Sequence, residues 1–301
     1  MENTLNSLRD TLEHRFGLVA EPVVLTGGLS HQVFELKSQK IVVKIYSDEI
    51  TTKRLAQELQ ALELLTESKL VTAPQLLPSL NLEFRVRFGP TFLSCFKMIE
   101  GERRYNLTEC PKDLGAIQDI GRYLGKLHLE YSSGLVAEEP VRRTSQILEL
   151  IKTLPGVELA EVEQILETLK NSRAPFFRTH GDFQQSNILY SGDTISGVID
   201  FEYSNLDFRI NDLAGCLSNL LSADEDTLPP DSLVESFVQG YQGTFSNALL
   251  PAEMSLLGLL VKLIWRVNLF WVENKLKNEQ SEENLSLLRR YRDQTLRGLS
   301  N

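Results

Sequence analysis

The chain has 301 residues, 42% hydrophobic and 24% charged, a globular composition long enough for one large domain or two closely packed ones; it excludes a disordered chain, a collagen-like fibre and a disulfide miniprotein. Its 41 acidic residues against 31 basic give a formal net charge of −10. That charge repels a phosphate backbone and an anionic lipid surface, so no nucleic acid and no membrane is expected as partner, while a cationic small molecule is tolerated.

Cys95, Cys110 and Cys216 are odd in number and lack C-x-x-C spacing, which predicts a reduced, cytoplasmic compartment. The opening MENTLNSLRD has neither a basic nor an apolar leader region. The longest apolar stretch, 256–271, is broken by Lys262, Arg266 and Asn268. It falls short of the roughly 18–20 uninterrupted residues of a membrane span, so a soluble protein is expected.

In chain order, Leu5, Leu8, Leu12 and Phe16 fall at helical spacing, with Gly17 as a stop. VVLTGGLSHQVFELKS and KIVVKIYS read as strands around a Gly-Gly turn. A helix is expected from about Asp48 through KRLAQELQALELLTES. Pro74 and Pro78 punctuate a loop, and LEFRVRF and TFLSCFKMI read as strands. Beyond Gly101 the pattern is mainly helical: IQDIGRYLGKLHLEY, RRTSQILELIKTL and VELAEVEQILETLKN, then NDLAGCLSNLL, SLVESFVQGYQ, a long segment at 252–276 and a charged terminal helix. Between these lies FFRTHGDFQQSNILYSGDTISGVIDFEY, with short β-type runs and a Ser-Gly-Asp turn. The expectation is an α+β protein of two lobes, one β-rich and one helical.

That interruption carries the chemistry. Asp182 and Asn187 share one short loop, and Asp200 ends an apolar strand brought close by the hairpin. Carboxylate and amide oxygens suit a hard cation such as Mg²⁺, which keeps waters and prefers one or two carboxylates plus substrate phosphates. A carboxylate without metal can take a proton from a hydroxyl. Two Asp residues alone also fit glycoside hydrolysis, against which stand the neighbouring Asn and the lack of a carbohydrate-binding aromatic run. His14, His31, His128 and His180 show no zinc spacing. In the β-rich part, Lys44 lies mid-strand in VVKIY and needs a partner or solvent; Glu58, Glu63 and Glu67 on the following helix are the candidates.

HGDFQQSN resembles the H-G-D-x-x-x-x-N loop, and IDFE the I-D-[FW]-E motif, of the aminoglycoside phosphotransferase, choline kinase and homoserine kinase group. LDFRINDLA resembles their D-x-x-x-x-D-L-A segment. The resemblance implies a two-lobed protein-kinase-like fold, with residues 1–97 as the nucleotide-binding lobe, 98–102 as hinge and 103–301 as the helical catalytic lobe. It further implies ATP and Mg²⁺, and transfer of a phosphoryl group to a hydroxyl of a small molecule. Asp182 would be the catalytic base, Asn187 and Asp200 the metal ligands, and His180 a packing support. Gly181 replaces the arginine of many protein kinases, so no activation-loop switch is expected.

On the nucleotide side the resemblance pairs Lys44 with Glu58, makes Gly28 and Ser30 of the GGLSH turn phosphate contacts, with His31 departing from the pattern, and puts adenine against the backbone around Met98 and Glu100. LGKLH resembles the group's L-x-x-L-H helix, with His128 packed under the loop. Two acceptor readings compete. A homoserine- or amino-alcohol-like metabolite would use a cation such as Arg209 or Arg266 for any carboxylate. An aminoglycoside would use carboxylates, for which Asp224, Glu225 and Asp226 are a candidate patch. Trp265 and Trp271 lie on different helix faces, so they form no joint aromatic cage. A non-catalytic nucleotide binder would lack one of Lys44, Asp182, Asn187 or Asp200; all four are present.

Overall fold

A computed structural model describes residues 2–25, 31–47, 50–105, 109–133, 159–171, 176–222, 229–244 and 249–300. The chain divides into two units, Met1–Ala56 with Ala73–Glu100, and Gln57–Thr72 with Gly101–Asn301.

In the first unit α1 (Glu2–Phe16) lies on one face of an antiparallel sheet. The sheet contains β1 (Val23–Leu25), β2 (Gln32–Leu36), β3 (Ile41–Ile45), β4 (Gln75–Leu77), β5 (Val86–Phe88) and β6 (Thr91–Lys97), ordered β1-β2-β3-β6-β4, with β5 also paired to β6. Alternation explains the core. Phe34, Leu36, Ile41, Val43, Ile45, Leu93 and Cys95 point to one face and meet Leu8, Leu12 and Phe16. The intervening residues, Lys44 among them, take the other face. Two segments differ from the sequence expectation. Gln75–Leu77 is a strand rather than part of a loop; as an edge strand it tolerates Pro74 and Pro78 at its ends. The LEFRVRF run shortens to Val86–Phe88.

In the second unit α2 (Thr52–Leu65) contributes its residues from Gln57 onward. The helices α3 (Leu114–Ser133), α4 (Leu159–Asn171), α5 (Ile210–Ser222), α6 (Pro230–Thr244), α7 (Pro251–Asn278) and α8 (Glu282–Ser300) surround two small sheets. One is ordered β10-β9-β7, from β7 (Glu102–Arg103), β9 (Ile188–Ser191) and β10 (Thr194–Val198). The other pairs β8 (Phe176–Thr179) with β11 (Asn205–Phe208). Ile117, Ile120, Leu124, Leu127 and Tyr131 form a fully buried stripe along α3 at helical spacing. On its neighbouring face α3 meets α6 across glycines: a Cβ at Gly121 would stand 2.1 Å from the Phe237 carbonyl oxygen, and one at Gly240 2.0 Å from that of Gln118. Only residues without a side chain permit that backbone approach.

Helix α7 is, by length and composition, apolar enough to cross a membrane, with a mean hydropathy of 1.5 over its best window. Its buried residues include Leu256, Leu257, Leu260, Val261, Trp265 and the charged Glu253. Trp265 donates from Nε1 to the Ser218 carbonyl at 2.6 Å and covers Gly298.

Candidate active site

The site grows from the β8–β9 connection. After Thr179 the chain turns through Gly181, whose φ of 80° favours glycine, and runs into a 3₁₀ turn at Gln185–Asn187 that leads into β9. Hydrogen bonds fix the loop from within. The Asn187 side chain donates from Nδ2 to both the carbonyl and the Oδ2 of Asp182, each at 3.0 Å. Gln184 donates to the same Oδ2 at 3.2 Å. With its nitrogen committed to Asp182, the Asn187 amide offers Oδ1 as a ligand atom. The His180 ring accepts from the Asp182 N–H at Nδ1, 3.2 Å, and so donates from Nε2 to the Ile199 carbonyl at 3.1 Å. It is fully buried between Phe183 and Phe201.

Ile199 is the bridge to the third residue. Its N–H donates to the Asn187 carbonyl at 2.9 Å, so both its backbone groups are held by the loop. Asp200 follows at once with φ of 71°, a left-handed conformation that Asp tolerates better than most residues. Asp182, Asn187 and Asp200 therefore form one backbone-locked set. Among the described residues no three His, Cys, Asp or Glu converge as a metal site. Two carboxylates and an amide oxygen fit a hard cation that completes its shell with water and phosphate.

Asp212, at the start of α5, anchors the loop from beneath. Its carboxylate accepts from the backbone N–H of His180 at 2.6 Å and of Gly181 at 2.8 Å, and from His128 Nε2 at 3.0 Å. Burial pushes this carboxyl pKa up, but the interactions with His128, with His180 and with the Gly181 N–H together outweigh burial and hold it below its ordinary 3.8. The motif resemblance covered Asp212 without indicating this role. Tyr291 lies on α8. Its hydroxyl reaches Asn219 Oδ1 at 3.4 Å, its ring meets Trp271 edge-on, and its pKa is raised first by burial and then by the charge of Asp182.

Lys44 stands on β3, buried, on the sheet face opposite α1, with Nζ 5.1 Å from the centre of the Tyr46 ring. Cross-strand, it lies opposite Val33 and Ser94. Glu58 is buried on α2. The Met98 N–H donates to the Lys40 carbonyl at 2.8 Å, and the exposed Glu100 side chain pairs with Lys40 at 2.5 Å. Gly28 and Ser30 fall in 26–30, and Asp224–Asp226 in 223–228, both outside the described residues. His31 accepts from the Ser47 N–H at 3.0 Å and stacks edge-on against Tyr46.

Arg209 corrects a sequence expectation. It is fully buried, and its guanidinium binds Glu253 bidentately at 2.9 and 2.7 Å. Burial works against its charge, and Glu253 together with the Tyr241 phenol offsets that, so its pKa is raised. Arg209 is an internal structural cation and is not exposed to bind an acceptor carboxylate.

A family model described as "Phosphotransferase enzyme family" matches residues 22–254. A homoserine kinase of Gluconobacter oxydans is 32% identical over 93 residues, so the match spans 29% of this chain and 29% of that relative. Among solved structures, an amicoumacin kinase superposes with a TM-score of 0.73 at 16% identity, covering 96% of this chain and 92% of that one. A microcompartment-associated aminopropanol kinase gives 0.67 at 18%, covering 96% and 94%. A choline/ethanolamine kinase family protein from Mesorhizobium loti gives 0.63 at 20%, covering 99% and 94%. At such identities these structures establish a protein-kinase-like α+β fold.

Proposed function

Because the chain belongs to the phosphotransferase enzyme family, and so is a phosphotransferase, we propose that it uses ATP and Mg²⁺ to phosphorylate a hydroxyl of a small, amine-bearing metabolite of the homoserine or amino-alcohol kind. The observation that carries this is the locked set Asp182, Asn187 and Asp200. Asp182 takes the proton of the acceptor hydroxyl as that oxygen bonds to the γ-phosphorus. The bond from the γ-phosphorus to the β–γ bridging oxygen breaks, and ADP leaves. Asn187, through Oδ1, and Asp200 would hold the metal. When bound, Mg²⁺ supplies charge neutralisation for the transferring group. Lys44 would take the α- and β-phosphates. The backbone at Met98 and Glu100 would receive adenine, and Gly28 and Ser30 would cover the phosphates. Phosphoryl transfer asks mainly for positioning and electrostatic complementarity, and a rigid loop supplies both.

Three observations support the acceptor class. The net charge of −10 favours a cationic ligand. The partial match to a homoserine kinase and the fold shared with an aminopropanol kinase are consistent with a small acceptor. With Arg209 sealed against Glu253, an acceptor carboxylate would fall to the half-buried Arg266 on α7.

The test is ADP release from Mg·ATP with homoserine, 1-amino-2-propanol, choline and kanamycin, beside Asp182→Asn. Turnover with one of the first three, at least about 10²-fold above the variant, is expected. Turnover with kanamycin alone overturns the acceptor class. No acceptor-dependent ADP, or an Asp182→Asn rate equal to wild type, overturns the catalytic reading.

A further inference from the structure

The anchor Asp212 is itself held, and the holding groups form a chain with one direction. His128 on α3 donates from Nε2 to Asp212 and has Nδ1 2.9 Å from the Tyr241 hydroxyl on α6. With Nε2 as donor, Nδ1 is the acceptor, so the Tyr241 O–H donates to it. Burial pushes the Tyr241 phenol pKa up, and the Arg209 charge also acts on it, pulling the other way. Arg209 is fastened to Glu253 on α7, whose Oε2 also accepts from the Leu250 N–H at 2.8 Å.

From Tyr241 through His128 the donors point toward the buried carboxylate that receives the His180 and Gly181 amides. Arg209, Tyr241, His128 and Asp212 are all buried, in a low dielectric where such a chain polarises its members and a missing link is most felt. The backbone approach of α3 to α6 at Gly121, Gly125 and Gly240 sets the reach. A Cβ at Gly125 would lie 2.8 Å from the Tyr241 carbonyl oxygen. His128 follows at i+3 from Gly125 and i+7 from Gly121, on the same helix face. No sequence motif covers Tyr241, and the phosphoryl-transfer reading uses none of its atoms.

The geometry points to Tyr241 and His128 as positioning residues, which form a one-way hydrogen-bond chain that fixes Asp212 and thereby the backbone of His180 and Gly181 under the base Asp182. The effect on turnover rests on the catalytic reading given above. The effect on the loop does not.

The experiment compares full-length wild type with Tyr241→Phe, which deletes one hydroxyl and keeps the ring, and with Trp265→Phe, which deletes a buried hydrogen bond to Ser218 on α5. His128→Gln breaks the same chain at its next link and stands in should Tyr241→Phe not fold. Hydrogen exchange is read at the His180 and Gly181 amides, the two that bond Asp212. Exchange about tenfold faster in Tyr241→Phe and in His128→Gln, and unchanged in Trp265→Phe, is the expected result. Loop exchange at the wild-type rate in folded Tyr241→Phe or His128→Gln overturns the proposal. So does an equal rise in Trp265→Phe, which would mean general destabilisation.

With the acceptor that gives turnover, kcat of Tyr241→Phe should fall about tenfold with the nucleotide KM unchanged. The same fractional fall in the Asp182→Asn background would show that Tyr241 does not act through the base, which also overturns the proposal. If no acceptor turns over, the functional reading fails, and the exchange result still decides the chain.

Discussion

Glu253→Gln is the most informative single perturbation of stability. Glu253 and Arg209 are both essentially inaccessible to solvent and joined by two hydrogen bonds of 2.9 and 2.7 Å. The substitution keeps the shape and removes the negative charge, leaving a guanidinium without its counter-ion. It also weakens the acceptor for the Leu250 N–H at the start of α7. Removing one partner of a buried pair costs about 3–5 kcal/mol, because the other charge stays desolvated. Both tryptophans, Trp265 and Trp271, lie on α7 itself, so their fluorescence in urea reports the unit concerned. With a slope near the upper end for small proteins, about 3 kcal/mol per molar, the midpoint should fall by about 1–2 M. Replacing both residues by apolar ones, Arg209→Met with Glu253→Leu, should recover much of the loss, since the remaining charge disappears too. A loss below about 1 kcal/mol for Glu253→Gln would be the behaviour of a solvated surface pair. It would refute the argument that Arg209 is locked inside and return it to the acceptor candidates.

Lys44→Ala should raise the nucleotide KM or lower kcat at least about tenfold; steady-state kinetics unchanged in both would leave Lys44 a packing residue. Gly240→Ala should destabilise the second unit and lower its thermal midpoint, because the new methyl meets the Gln118 carbonyl at 2.0 Å and the helices must part. The Asp212 carboxyl, held below 3.8 in the folded chain, contributes stability that is fully present above that value and lost as pH falls through its folded pKa. Denaturation curves should therefore show Asp212→Asn weaker than wild type at pH 7, with the gap closing below pH 4; a gap constant with pH would contradict the assignment.

Much of this molecule is local, and local features are legible in a sequence. The place of Lys44 within the apolar strand KIVVKIYS was legible, and the fold then set it on the face opposite Ile41, Val43 and Ile45. The α3 stripe announced its helix, and the order of HGDFQQSN, IDFE and LDFRINDLA placed Asp182, Asn187 and Asp200 near one another. Spacing along one strand or loop is a property of the chain itself. The strand at Gln75–Leu77 was hidden because three residues between prolines carry no period, and only pairing with β6 makes them a strand.

The identity of the partner facing each charge is not local. Arg209 reads as an available cation in LDFRINDLA, and only the arrival of Glu253, 44 residues later, makes it a sealed one. Asp212 reads as part of a motif, and tertiary packing makes it the anchor for two loop amides. Tyr241 reads as an aromatic on an amphipathic helix, and a glycine-permitted backbone approach brings its hydroxyl to His128. Chain chemistry determined which residues are candidates to act on a phosphoryl group. Burial determined which charges remain for a ligand and which are consumed in holding the loop, because an ion in a low dielectric takes the partner that the fold presents.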